Sequence, residues 1–161
     1  MKKFFSLLLV FALALTLAAC RDRKNDQDLY DYDIITELPE GKIVEITVWH
    51  SFGEHLESLI QGYIDEFEKE YPNIKVTFKK EGGNYTELRK KVVNNITTGT
   101  TPTLVFTYPD HVAAYLDGKA VLALDPFIND PKVGFTQEEL DDFIDSYLEE
   151  NRQFGYYMGL P

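Results

Sequence analysis

The chain has 161 residues, 16 of them basic and 27 acidic, and a formal net charge of −11 at pH 7. This acidic balance argues against binding to nucleic acid and against electrostatic attachment to anionic lipid. The length suits one domain with a substantial core, and a single cysteine excludes an internal disulfide.

The N-terminus has the pattern of an export signal. Two lysines precede a run from Phe4 to Ala19 that is apolar apart from two hydroxyl residues. The run is too short, and too closely followed by charge, to be a membrane span. It ends in Leu-Ala-Ala-Cys, which resembles a bacterial lipobox and implies cleavage before Cys20 and acylation of its sulfur. We therefore expect a lipoprotein signal peptide over residues 1–19; an ordinary secretory signal with an incidental cysteine is the alternative.

Residues 20–41 follow as the lipidated Cys20 and a polar, charged stretch without clear periodicity until Ile34. This composition predicts a flexible tether. The folded part is then expected over residues 42–161, beginning with a β-branched strand from Ile43 to Trp49.

A helix is predicted after the first strand. Ser51 and Glu54 have the spacing of a capping box, and an apolar stripe at helical spacing continues to Phe67. Tyr71-Pro72 ends this helix. The alternating residues 74–78 then predict a second strand.

The second helix is predicted to begin at Asn84, a capping residue with Glu87 at the third helical position, and to end near Gly99. The apolar run 104–108 lacks alternation, which is typical of a strand buried on both faces of a parallel sheet. Pro109 suits the first turn of the helix that comes next.

The last third of the chain continues this pattern more weakly. The helix after Pro109 is stopped by Gly118. Residues 121–128 predict an irregular packed connection. A final helix is expected over 136–148 and a final strand over 155–159. Strand–helix alternation predicts an α/β fold whose parallel sheet is flanked by helices.

Ligands of open parallel sheets bind at the carboxyl ends of the strands, beside helix N-termini. Three loops meet this description, and each offers an aromatic and a hydrogen-bonding residue. Aromatic faces stack on the apolar faces of sugars, while polar groups bind their hydroxyls. The candidate loops are Trp49-His50-Ser51-Phe52, Gly82-Gly83-Asn84-Tyr85 and Tyr108-Pro109-Asp110-His111.

Reactive chemistry is poorly supported by the same residues. His50 has no partner acid or nucleophile indicated by its context, and Ser51 is assigned to a cap. His50 and His55 are five residues apart, which does not align them on one helical face, and no third zinc ligand lies nearby. We expect no catalytic residue, no metal site and no cofactor.

The order and spacing of several segments resemble the family 1 extracellular solute-binding proteins, the receptors of carbohydrate ABC transporters. The segments include ITVWHSFG, GGNYTELRKKVVNNITTGTTPTLVF, YPDHVAAYL and YYMGLP, within residues 43–161. The resemblance implies the first lobe of a type II periplasmic-binding-protein-like fold. Family members are two-lobed and far longer, and this chain stops in a strand-like pattern, so we expect a truncated, partial N-terminal lobe.

The resemblance implies a lipid-anchored receptor facing outside the cytoplasm, at the cell surface or in the periplasm. Its partners would be a sugar or oligosaccharide, the permease of an ABC importer, and the membrane through the lipid on Cys20. The implied ligand-binding residues are Trp49, His50, Ser51, Phe52, Asn84, Tyr85, Tyr108 and Asp110.

Two alternatives remain. The Gly83-Asn84-Tyr85 segment matches the pattern of glycerol-3-phosphate binders, but that pattern has Glu after the position of Tyr108, where this chain has Pro109 and then Asp110. This departure favours a neutral sugar. A surface enzyme acting on glycans would need two carboxylates across a sugar bond, and no acidic pair is indicated.

Overall fold

The computed structural model describes Ile34, Ile35, Glu37 and residues 41–161. The predicted signal peptide, Cys20 and most of the predicted tether lie outside the described residues. No helix of the described part is both long and apolar enough to cross a bilayer.

A parallel β–α–β unit begins the fold. Strand β1 (Val44–His50) and strand β2 (Ile74–Lys80) pair in parallel along their whole lengths, from Val44 opposite Ile74 to His50 opposite Lys80. Helix α1 (Glu54–Glu70) is the crossover between them. The predicted strand–helix–strand order is confirmed here, with β2 extending two residues beyond its predicted end.

The predicted cap of α1 is wrong. The N-cap residue is Gly53, in extended conformation, and no side chain accepts a hydrogen bond there. Ser51 lies two residues upstream because β1 pairs with β2 as far as His50, and a short loop must follow before the helix begins. At the other end the predicted stop is confirmed, since the Tyr71 N–H caps the helix by donating to the Phe67 carbonyl.

Helix α2 (Tyr85–Thr98) is capped as predicted. The Asn84 side chain accepts from the Glu87 N–H at 3.0 Å. Gly99 ends the helix in the left-handed conformation, with φ of 69°, a region that glycine adopts without steric cost.

Strand β3 (Leu104–Val105) is shorter than predicted. It pairs in parallel with β1, Val48 opposite Leu104, which gives the strand order β2-β1-β3. The expectation of burial on both faces is wrong, because Leu104 is 58% exposed. Within the described residues only β1 pairs with β3, and its outer edge is unpaired.

The remaining elements are short. A 3₁₀ turn at Pro109–His111 leads into α3 (Val112–Asp117), which ends at Gly118 as predicted. Helix α4 (Asp125–Ile128) lies in the segment predicted to be an irregular connection.

The predicted helix over 136–148 is two helices, α5 (Gln137–Asp141) and α6 (Asp145–Glu150). A capping box between Thr136 and Glu139 starts α5. The chain turns between the helices, where the Phe143 ring meets Phe135 edge-on at 5.7 Å.

The predicted last strand is confirmed but is shorter, as β5 (Tyr156–Tyr157). It pairs antiparallel with β4 (Arg152–Gln153), a strand that was not predicted.

The two faces of the parallel sheet are covered differently. On one face Trp49 packs with Leu88, Val92 and Tyr115, the first two from α2 and the last from α3, all at most 6% exposed. The other face presents Val48, and α1 has no buried residue. An open apolar cavity of about 860 Å³ lies beside α1 and the edge of β3, and Val92 and Tyr115 from the opposite face also line it. Its lining includes Ile60, Ile64, Phe78, Leu104, Phe106 and Leu160.

Candidate functional site at the carboxyl ends of the parallel strands

Three loops meet at one edge of the sheet because all three strands run in parallel. Backbone hydrogen bonds hold the loops to the central strand. The Glu81 N–H donates to the His50 carbonyl at 2.8 Å, and the Phe106 N–H donates to the Trp49 carbonyl at 2.9 Å. The predicted crevice loops therefore begin side by side at the same edge of the sheet.

An aromatic pair joins the loops after β2 and β3. The Tyr85 and Tyr108 rings lie 4.4 Å apart between centroids, inclined at 41°. Tyr108 is 52% exposed, and His111 meets its ring edge-on at 5.6 Å. Burial, with a smaller contribution from Tyr108, raises the pKa of Tyr85, so its phenol is protonated at neutral pH. The pair thus offers an apolar surface with hydroxyl groups.

Polar contacts support the loop that holds Tyr108. The Thr107 hydroxyl lies 3.2 Å from His111 Nδ1 and 3.2 Å from the Tyr115 hydroxyl. The Gln153 amide donates to the Pro109 carbonyl from the distant β4. Sequence reasoning did not identify Gln153, since a contact across 44 residues leaves no local signal.

Phe52 belongs to a second aromatic group, which joins the loops after β1 and β3. Its ring lies 4.8 Å from Phe106 and 5.1 Å from His50. His50 in turn stacks on Phe78 at 3.9 Å and 20°. These four rings, Phe52, Phe106, His50 and Phe78, are referred to below as the four-ring cluster.

His50 is fully buried, with 0% of its surface exposed. Its Nδ1 accepts from the Phe52 N–H at 3.2 Å, and its Nε2 lies 3.9 Å from Glu57 Oε1. Burial lowers the pKa of His50; the Glu57 carboxylate opposes this effect and Lys80 adds to it. The structure thus places the imidazole beneath the loop, not on its outer surface.

Trp49 lies inside the core at 6% exposure, with the Lys91 ammonium 5.8 Å from the centre of its ring. The Ser51 hydroxyl is buried and has no hydrogen-bond partner among the described residues. Neither side chain is brought to the exposed surface formed by the tyrosine pair.

The two remaining candidate residues are Asn84 and Asp110. Both ends of the Asn84 amide contact Glu87, the oxygen as helix cap and the nitrogen as a donor at 3.2 Å. Asp110 is exposed in the 3₁₀ turn directly after Tyr108. Asp110 therefore offers an accessible carboxylate beside the tyrosine pair.

Glu81 is an ionic feature of the site that sequence reasoning missed. It is 5% exposed and pairs with Lys79 at 2.5 Å and with Lys91. Burial alone would raise the pKa of this carboxyl, but the two lysines outweigh burial and lower it. The run Lys79-Lys80-Glu81 resembles a solvated charged stretch, and the pairing becomes visible only once α2 is packed on the sheet.

No group of three or more His, Cys, Asp or Glu side chains is arranged to hold a metal ion within residues 41–161 and the three described residues before them. The groups at this edge of the sheet include aromatic rings, hydroxyls and the exposed carboxylate of Asp110. Such a set suits recognition of a polar molecule with apolar faces.

A family model described as bacterial extracellular solute-binding protein matches residues 53–161. The chain belongs to this family. The matched region contains the loops after β2 and β3, but only Gly53 of the loop after β1. No curated protein matches the chain.

Solved structures of solute-binding proteins share the fold. The maltose/maltodextrin-binding domain MalE from Bdellovibrio bacteriovorus, bound to maltotriose, is 23% identical with a TM-score of 0.58, covering 71% of this chain and 27% of its own. The galacto-N-biose/lacto-N-biose I-binding protein of the ABC transporter from Bifidobacterium longum is 19% identical with a TM-score of 0.61, covering 77% and 29%. UgpB from Mycobacterium tuberculosis, in complex with glycerophosphocholine, is 19% identical with a TM-score of 0.60, covering 70% and 27%.

The chain thus spans less than a third of the length of these solute-binding proteins. At these identities the likeness shows the fold alone. It confirms the predicted α/β class and the predicted resemblance to solute-binding proteins, for a fragment of their length.

Proposed function

We propose that this chain supplies one rim of the sugar-binding cleft of a receptor that delivers a sugar or oligosaccharide to an ABC importer. The Tyr85–Tyr108 pair carries the proposal, because it combines an exposed ring with phenolic hydroxyl groups at the edge where parallel sheets bind ligands. The exposed Asp110 beside it would accept hydrogen bonds from sugar hydroxyls.

The remaining predicted binding residues take different parts in this proposal. Phe52 would extend the apolar surface from the loop after β1. Trp49, His50 and the Ser51 hydroxyl are buried, and the amide of the exposed Asn84 is already bonded to Glu87. We therefore assign these four residues to the support of the surface.

We further propose that residues 1–19 are removed, that Cys20 is acylated, and that residues 20–41 tether the folded part 42–161 outside the cytoplasm. Labelling with radioactive palmitate in a bacterial host tests the anchor. Wild type would be labelled and found with membranes, and Cys20→Ser would be unlabelled and released. Equal labelling of the two would exclude acylation at Cys20.

Binding without turnover is the expected behaviour. The full chain would be titrated calorimetrically with maltotriose, lacto-N-biose and glycerophosphocholine, and each mixture would be analysed for products. Since the chain covers under a third of its structural relatives, we expect weak affinity for the sugars. Tighter binding of glycerophosphocholine would favour the glycerol-phosphate alternative, and product formation would identify an enzyme.

Tyr108→Ala tests the surface directly. Loss of a stacking ring predicts about tenfold weaker sugar binding. Tyr63→Ala is the matched control, because Tyr63 is similarly exposed, at 60% against 52% for Tyr108, but lies on α1. Equal affinities of the two variants would refute the proposed surface.

A further inference from the structure

The position of His50 is unusual for a residue at the edge of a proposed binding cleft. It ends β1, directly before the loop of residues 51–53, yet no part of it is exposed. A fully buried imidazole cannot touch a ligand in this conformation. Its effect on binding must therefore pass through the groups that it contacts.

The hydrogen bond of His50 defines its tautomer. Nδ1 accepts from the Phe52 N–H, so the neutral ring must hold its proton on Nε2. Nε2 has no hydrogen-bond partner within the described residues and lies 3.9 Å from Glu57 Oε1. The ring is also clamped by stacking on Phe78. The imidazole is thus held in one orientation, with its acceptor directed at the loop.

This acceptor fixes the backbone of Phe52, and Phe52 joins two loops. Its ring lies 4.8 Å from Phe106, which follows β3 and precedes Tyr108 by two residues. A movement of the Phe52 backbone would shift the four-ring cluster. The loops after β1 and β3 would then no longer hold their relative positions.

We infer that His50 is a positioning residue: as a neutral Nε2–H imidazole it holds the loop of residues 51–53, and through Phe52 it sets the rim of the ligand surface. The effect on ligand binding rests on the function proposed above. The effect on the loop does not.

Protonation of His50 makes its hydrogen bond with the Phe52 N–H depend on pH. A proton on Nδ1 would face the Phe52 N–H, donor against donor, and the hydrogen bond would be lost. The charged groups facing His50 are Glu57 from α1 and Lys80 from β2. Burial dominates and lowers the pKa of His50 below its ordinary value of 6.5, so the loop should be held at neutral pH and released only in acid.

Four variants separate positioning from simple packing. His50→Phe keeps an aromatic ring to stack on Phe78 but removes the acceptor. His50→Asn retains an acceptor oxygen near the position of Nδ1 and does not titrate. Glu57→Gln removes the carboxylate that raises the pKa of His50. His55→Asn is the control, because His55 is exposed and is the second residue of α1.

Nuclear magnetic resonance of the full chain provides the first readout. In wild type the imidazole nitrogens should show an unprotonated Nδ1 and a protonated Nε2 at pH 7.5. Exchange of the Phe52 amide hydrogen should be roughly fivefold faster in His50→Phe, as expected for one hydrogen bond, and close to wild type in His50→Asn and His55→Asn. The Phe52 amide resonance should titrate with His50 in wild type, at lower pH in Glu57→Gln, and not in His50→Asn.

Titration with maltotriose is the second readout. If wild type binds, His50→Phe should bind several-fold more weakly and His50→Asn about equally. If no variant binds, the proposed function fails, and the exchange data still decide the inference. A protonated Nδ1 in the neutral wild type, or unchanged Phe52 exchange in His50→Phe, would overturn it.

Discussion

Replacing Glu81 by Gln should destabilise the fold by about 2 kcal/mol at pH 7. The Glu81 side chain is 6% exposed, and each of its oxygens pairs with a lysine. A hydrogen bond between charged groups contributes about 1.5–3 kcal/mol, and breaking a fully buried ion pair costs about 3–5 kcal/mol. Here Lys79 and Lys91 are 58% and 46% exposed and regain water, so the loss should lie below the fully buried case.

The pH dependence of the free energy of unfolding is the stricter test of this prediction. The two lysines lower the pKa of Glu81 despite its burial, so the folded state favours the carboxylate. The corresponding stability is present above pH 4.5, the ordinary value, and is lost as the pH falls through the lower folded value. Gln does not titrate. The difference between the two proteins should therefore shrink in acid.

Urea unfolding followed by circular dichroism at pH 7 and at pH 3 measures both effects. Glu45→Gln is the matched control, because Glu45 is an exposed carboxylate on β1, and we expect it to leave the free energy of unfolding nearly unchanged. Equal stability of Glu81→Gln and Glu45→Gln at pH 7 would refute the reasoning. So would a difference for Glu81→Gln that persists undiminished at pH 3.

Three further substitutions test the core and the ends of α2 by thermal or urea unfolding. Leu88→Ala should cost about 2–5 kcal/mol, since Leu88 is 1% exposed, while Leu122→Ala, at 49% exposure, should cost much less; similar losses would contradict the described core. Asn84→Ala should cost about 1 kcal/mol through loss of the cap, whereas Asn94→Ala, within the same helix and exposed, should be neutral or stabilising. Gly99→Ala should cost about 1 kcal/mol because of its positive φ, and an unchanged melting temperature would exclude the left-handed end.

Local sequence signals correctly predicted the helix ends that carry a capping residue. Asn84 and Gly99 cap α2 because capping depends on a few neighbouring residues and on backbone conformation. The cap predicted at Ser51 was wrong, because the start of α1 depends on how far β1 pairs with β2. That pairing joins residues thirty positions apart. Non-local pairing decides where a helix can begin, and periodicity does not report it.

The residues of the candidate site also divide into those that local signals could predict and those whose position depends on distant contacts. Tyr85 and Tyr108 were predicted as site residues because each follows a recognisable strand and lies at or next to a helix start, and parallel strands bring such positions together. The burial of His50 was not foreseen, because it depends on the Phe78 ring of the neighbouring strand. A single polar residue at a strand end gives no indication of which face of the sheet it occupies until the partners are known.

The central position of β1 also bears on the order of folding. Its contacts with β2 join residues thirty positions apart, such as Val44 and Ile74, but those with β3 join Val48 to Leu104 across more than fifty. The shorter closure carries the smaller entropic cost and should form first, giving a nucleus of β1, α1 and β2 onto which β3 later docks. Substitutions that weaken the contacts between β1 and β2 should then slow refolding, whereas substitutions in β3 should mainly accelerate unfolding.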